Sequence, residues 1–231
     1  MDEKQTPESR PAGSDYDHMD PFQRKVFETL NFAATHKKPL AIAGCAVLAG
    51  ILVLAGVLYS IQNAERKASD LLARTLNTYH KMSTDGADGY EAVREDFTKL
   101  LKEYPNTNAG KIANFRFAGI CYDATKYERA YELYNRALSD YKNDPAMEGL
   151  IRNALGRTCI ELEKYEEAER LFKEVAELEK SFMEDEALFS LGMITEKSGR
   201  SSHDEFYRDL LEHHPQSIYH PLAQSRTESF E

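Results

Sequence analysis

The sequence predicts an all-α protein in which a single N-terminal transmembrane helix is followed by a solenoid of helical hairpins. Two observations carry that prediction. Leu40 to Ile61 is an uncharged run of 22 residues, LAIAGCAVLAGILVLAGVLYSI. Beyond it, Tyr127, Ala130 and Tyr134 recur 38 residues later as Tyr165, Ala168 and Phe172. The overall balance, 42% hydrophobic and 29% charged over 231 residues, is that of a globular chain and excludes a disordered or fibrous one.

As a helix rising about 1.5 Å per residue, the uncharged run spans roughly 33 Å, against about 30 Å for a bilayer core. A buried core helix of that length would carry a polar stripe, and this run has none. Residues 1–38 precede the span, far more than a short basic leader, and the run is too long for a cleaved signal. Ile42-Ala43-Gly44-Cys45 resembles a lipoprotein cleavage box, yet most of the apolar residues follow Cys45, the reverse of what cleavage there requires. Residues 39–62 therefore read as a retained transmembrane helix. Arg24, Lys25, Lys37 and Lys38 stand before it and Arg66, Lys67 and Arg74 after it, so the charge rule favours a cytoplasmic N-terminus by one residue.

Residues 1–20 are rich in Pro, Ser, Gly and Asp and should be disordered. Asp20-Pro21 then offers an N-cap followed by proline at the first helical position. Phe22, Val26, Leu30 and Ala33 recur at helical spacing with Phe27 beside them. This short amphipathic helix either lies on the cytoplasmic leaflet, its phenylalanines among the headgroups, or extends the membrane helix into water.

Residues 63–231 carry the repeats. GICYDATKYERAYELYNRAL from Gly119 and GRTCIELEKYEEAERLFKEV from Gly156 share a glycine, a polar turn and a small residue followed by an aromatic one. A third unit begins near Gly192 and runs through Tyr207, Leu210 and Pro215; Tyr90, Val93, Phe97, Leu100 and Pro105 precede the first. These spacings resemble the tetratricopeptide repeat, a helix–turn–helix unit of about 34 residues. Gly119, Gly156 and Gly192 would let paired helices approach, as would Ala130 and Ala168 from the other side. Three departures stand out. Arg152 replaces the aromatic Phe115, His203 or Asp204 replaces the expected alanine, and the first unit's inner turn reads one residue short.

Helices are predicted near 62–83, 88–104, 108–124, 127–142, 146–163, 165–180, 183–198 and 202–213, with a capping helix near 217–229. Thr107 and its neighbours, and Ser217, offer polar caps after Pro105 and Pro215. Leu71, Leu72 and Leu76 should pack on the helix that holds Tyr90 and Phe97.

Signatures of chemistry are missing. The sequence has no glycine-rich phosphate loop, no Cys-x-x-Cys pair and no His-Glu-x-x-His motif, so catalytic residues, metal and cofactors are all expected to be none. His213, His214 and His220 fit no metal-site spacing and read as surface residues. Glu161, Glu163, Glu166, Glu167 and Glu169 read as a solvated face. From Asn63 onward 23 basic residues face 32 acidic ones, a net of −9, which argues against nucleic acid. Cys121 and Cys159 occupy almost corresponding places and read as buried free thiols, with a disulfide as the alternative.

A polar N-terminus, one anchor near residue 40 and a four-unit repeat domain resemble the bacterial YfgM-type family. The Pro-x-Thr and Pro-x-Ser steps after Tyr104 and His214 belong to the same resemblance. It implies a non-enzymatic inner-membrane protein with its repeats in the periplasm, an ancillary subunit linking the SecYEG translocon to periplasmic chaperones or extended client peptides. The alternative is a periplasmic repeat scaffold in envelope assembly or cell-division coordination. Membrane lipid is the further partner.

In stacked repeats the first helix of each unit lines the concave face. The partner-binding groove is therefore expected at Arg116, Ile120, Asn153, Arg157, Phe189 and Met193. Donors mixed with apolar groups suit an extended peptide better than a small metabolite.

Overall fold

The computed structural model describes residues 20–84, 88–178, 182–198 and 203–228. The chain forms two compact units, Met1–Ser60 and Ile61–Glu231. Among the described residues of the first unit, α1 (Pro21–Thr35) opens with Pro21, although the Asp20 side chain makes no capping hydrogen bond. The chain turns at His36 and continues as α2 (Lys37–Thr84). The predicted span is thus part of a 48-residue helix that runs without a break through the segment expected at 62–83. Every side chain from Lys37 to Ile61 is exposed, and α2 is long and apolar enough to cross a membrane.

In the second unit, the part of α2 beyond Ile61 buries Ala68, Leu72 and Thr75. Leu71 and Leu76 join the core that holds Phe97, with Tyr90 half-buried against it. Asp88 caps α3 (Gly89–Glu103), its Oδ1 accepting from the Tyr90 and Glu91 amides at 3.1 and 3.3 Å. Val93, Phe97 and Leu100 fall on one helical face and are fully buried. Pro105 comes next, and α4 (Asn108–Asp123) starts at the Thr107 cap, whose Oγ1 accepts from the Gly110 amide at 2.9 Å. A second cap comes from afar. The Glu65 carboxylate of α2 accepts from the Asn108 and Ala109 amides at 2.8 and 3.1 Å, satisfying two orphan donors of that helix end.

The hairpins are α4 with α5 (Tyr127–Asp140), α6 (Pro145–Glu161) with α7 (Tyr165–Ala176), and α8 (Glu184–Lys197) with α9 (His203–His213). α10 (His220–Glu228) packs on α9 and closes the stack. It begins three residues later than expected. Ser217 makes a turn instead, its Oγ accepting from the Tyr219 amide at 3.1 Å, and Pro221 fits the first helical turn. α7 ends at Ala176 rather than near residue 180. Residues 1–19 of the segment expected to be disordered, and Gly86 between α2 and α3, lie outside the described residues.

The inner turns of the first two hairpins correct the register read from the glycines. Both are three residues long and built alike. Lys126 N–H donates to the Cys121 carbonyl and Lys164 N–H to the Cys159 carbonyl, each at 2.8 Å. Thr125 and Glu163 take φ of 57° and 58°. With Thr125 N–H donating to the Tyr122 carbonyl at 2.9 Å and Glu163 N–H to the Ile160 carbonyl at 3.0 Å, each turn has the double hydrogen bond that closes a helix on a left-handed residue, made here without glycine. The first turn is not short. Counted back from the turns, Gly119 is not the counterpart of Gly156: Ala118, fully buried, holds the place that Gly156 holds in α6. A Cβ on Gly156 would meet the Phe172 ring at 2.8 Å, whereas one on Gly119 would meet only Tyr134 Oη at 3.6 Å. Gly192 resembles Gly156, with the Tyr207 ring against it.

In the corrected register Arg152 stands in the place of Asn114 and not of Phe115, and it is held by charge. It sits between Glu148 and Glu174, with Nε 2.7 Å from Glu174 Oε2. Of the two residues read at the alanine position, Asp204 is half-buried and lies 3.8 Å from the Arg208 guanidinium. Cys121 and Cys159 are equivalent, fully buried and free, so the disulfide alternative is not formed. Burial pushes both thiols up to about 12.

Candidate functional site

The first helices of the hairpins, α4, α6 and α8, share a side of the stack, and a cleft of about 330 Å³ opens along it. Its walls are Tyr122 from α4, Arg157 and Ile160 from α6, Phe189 and Met193 from α8, and Tyr219 from the turn before α10. Helical spacing puts them there. Arg157 and Ile160 are one turn apart on α6, as are Phe189 and Met193 on α8.

Apolar and charged parts are separate. Phe189 stacks on Tyr219 with ring centroids 5.1 Å apart and tilts against Tyr207 at 5.9 Å, so its edge reaches the cleft while the rest is covered. Met193 beside it is 39% exposed and supplies adaptable apolar area. Arg157 supplies the charge. Its guanidinium lies 5.3 Å from the Tyr122 ring centroid and 3.6 Å from Glu186 Oε1. Burial works against that cation, but Tyr122 and Glu186 outweigh it and raise the pKa, so Arg157 stays charged.

A second cleft of about 420 Å³ shares Ile160 and Met193 and extends the trough toward Tyr165, Glu196, Lys197 and Arg226. Lys197 Nζ donates to Tyr165 Oη at 2.8 Å. Glu196 accepts from Tyr207 Oη at 3.0 Å and from Arg226 Nη1 at 2.9 Å. The trough is therefore an apolar floor, with Ile160 and Met193 at its centre, edged by side chains of both charges.

The structure brings three of the six expected groove residues together: Arg157, Phe189 and Met193. Arg116 is exposed on α4 but borders neither cleft. Ile120 and Asn153 are buried, at 5% and 3% exposure, and are not accessible to a partner. The register explains Ile120. Counted from the turn, it corresponds to Thr158, which is also fully buried, and not to Arg157. Asn153 packs toward α8, its amide 3.9 Å from Met183 Sδ, while its buried Oδ1 accepts no hydrogen bond.

Tyr122, Ile160 and Tyr219 were absent from the expected set. Extending the Asn153–Arg157 stripe to i+7 would have reached Ile160. Tyr219 belongs to a turn, where periodicity gives no guide. Elsewhere, His213 Nδ1 is 2.7 Å from Asp209 and His214 Nε2 is 3.7 Å from Glu184. Among the described residues no three His, Cys, Asp or Glu side chains gather as metal ligands would.

A family model for the tetratricopeptide repeat-like domain matches residues 38–187. Among curated proteins none matches the sequence. Solved structures with a similar fold include the following three. The MamA protein is 15% identical with a TM-score of 0.52, over 64% of this chain and 75% of that one. MamA 41-end from Desulfovibrio magneticus RS-1 is 16% identical with a TM-score of 0.53, over 65% and 77%. A tetratricopeptide repeat protein from Parabacteroides merdae is 15% identical with a TM-score of 0.56, over 69% and 59%. At these identities the likeness is one of fold.

Proposed function

The chain belongs to the tetratricopeptide repeat-like domain family, and from that premise we propose that it is a membrane-anchored, non-enzymatic module that holds an extended segment of a partner protein in the α4–α6–α8 trough. One observation carries the reading: Arg157, Ile160, Phe189, Met193 and Tyr219 meet there as an apolar floor beside a fixed cation. An extended backbone offers carbonyls to Arg157 while its alternate side chains rest on Met193 and Ile160. The uncharged run of α2 supports the anchor. The finer reading is an ancillary subunit beside the SecYEG translocon, N-terminus cytoplasmic and repeats periplasmic, passing clients to or from chaperones. The YfgM-type resemblance and the one-residue charge bias support it.

The test is site-specific photo-crosslinking of the full chain in native membranes, with the crosslinker at Met193 and, for comparison, at exposed Arg136 on α5, followed by mass spectrometry. Adducts at Met193 that disappear in Arg157→Ala are expected. Adducts confined to Arg136 would refute the trough as the binding site, and adducts lacking translocon or chaperone peptides would refute the finer reading.

A further inference from the structure

The apolar side of α1 is solvent-exposed. Phe22, Val26, Phe27 and Leu30 are all exposed, and with Gln23 they border a shallow cleft of about 300 Å³. Phe22, Val26, Leu30 and Ala33 lie in one line along the helix at 3.6 residues per turn, flanked by Phe27. The opposite side carries Arg24, Lys25 and Glu28, with Arg24 Nε 3.6 Å from Glu28 Oε1. Phe32, on that polar side, stacks on the His36 ring at 4.4 Å.

The chain immediately after α1 points to the bilayer as the cover for this stripe. Pro39 has no N–H to give the Thr35 carbonyl, so the helix is interrupted at His36. The uncharged run starts at Leu40. The five steps from Thr35 to Leu40 reach at most about 17 Å, so the end of α1 stays close to wherever Leu40 enters hydrocarbon. Lys37 and Lys38 fall in that gap, and with Arg24 and Lys25 they outnumber Glu28 four to one. A helix pointing into water would leave the four large apolar groups wet. One lying in the headgroup plane buries them and keeps the charged side hydrated.

We propose that α1 is a membrane-surface helix whose partner is the bilayer itself. Phe22, Val26, Phe27 and Leu30 sit among the upper acyl segments, and Arg24, Lys25, Lys37 and Lys38 contact anionic headgroups. The proposal rests on the reading of Leu40–Ile61 as a span.

The experiment uses the full chain with Cys45→Ala, reconstituted in phosphatidylcholine vesicles with and without phosphatidylglycerol. Nitroxide labels are placed at Val26→Cys, Leu30→Cys, Glu28→Cys and Leu52→Cys, while buried Cys121 and Cys159 stay unlabelled. Collision with oxygen and with a water-soluble nickel chelate reads the depth of each label. Positions 26 and 30 should lie about 5–10 Å below the phosphates, with 28 facing water and 52 deepest. Without phosphatidylglycerol, 26 and 30 should become shallower. A deep label at 52 with 26 as wet as 28 would overturn the proposal and leave the span intact. Labels at 26 and 30 shielded from both probes would overturn it in favour of a protein partner. Equal depths in both lipids would overturn the role given to anionic headgroups, and a wet label at 52 would remove the span and the proposal together.

Discussion

Alanine at the three repeat glycines should separate tight helix contacts from a loose one. In a helix interior Gly→Ala gains about 1 kcal/mol from backbone preference alone. At Gly119 that gain should survive, because the new methyl meets only Tyr134 Oη at an ordinary 3.6 Å. At Gly156 the Cβ would stand 2.8 Å from Phe172 Cζ and 2.9 Å from Cε1, well inside the 3.5–4.0 Å or so of a relaxed carbon contact. Phe172 is fully buried, so overpacking of about 1–3 kcal/mol offsets or exceeds the propensity gain. At Gly192 the Tyr207 ring is closer still, and its hydroxyl is tethered to Glu196 at 3.0 Å, which places that variant at the costly end of the range. The propensity gain is common to both sites, so the spread between Gly119→Ala and Gly192→Ala is the overpacking term alone, roughly 2–3 kcal/mol, or about 4–12 °C in Tm for a domain of this size. Thermal unfolding of the full-length variants in detergent micelles, followed by circular dichroism, measures it. A Gly119→Ala loss as large as that of Gly156→Ala would refute both the register and the argument from contact.

Two further outcomes are expected. Glu65→Ala removes the acceptor shared by the Asn108 and Ala109 amides and should cost about 1–2 kcal/mol, with hydrogen exchange rising at those two amides first; unchanged exchange there would deny the cap. Cys121 and Cys159, with thiols pushed up to about 12, should resist maleimide at pH near 8 in the native protein and react fully in denaturant. Rapid native labelling of either would contradict its burial.

Much of this architecture comes from local rules that act along the chain. An uncharged run long enough for a bilayer is decided by composition, and Phe97, Tyr134 and Phe172 are placed in the core by helical periodicity. Thr107 and Pro145 mark helix starts through chemistry confined to a few residues. The function class was legible for the same reason, since repeats that cannot bury their faces alone must stack and so present a continuous surface.

Tertiary structure alone decided three things. Whether Gly119 or Ala118 meets the facing helix depends on the register set by the closing turn, and the glycine spacing hid this because those turns use Thr125 and Glu163 where glycine would have marked them. Which stripe residues stay accessible depends on the neighbouring helix: Asn153 and Arg157 share a face of α6, yet packing toward α8 buries the first and leaves the second open. Glu65 capping α4, and Tyr219 closing the trough over Phe189, join residues more than 25 positions apart. Contacts of that kind arise only when the stacked helices fix the distance between groups, and spacing along the chain carries no record of them.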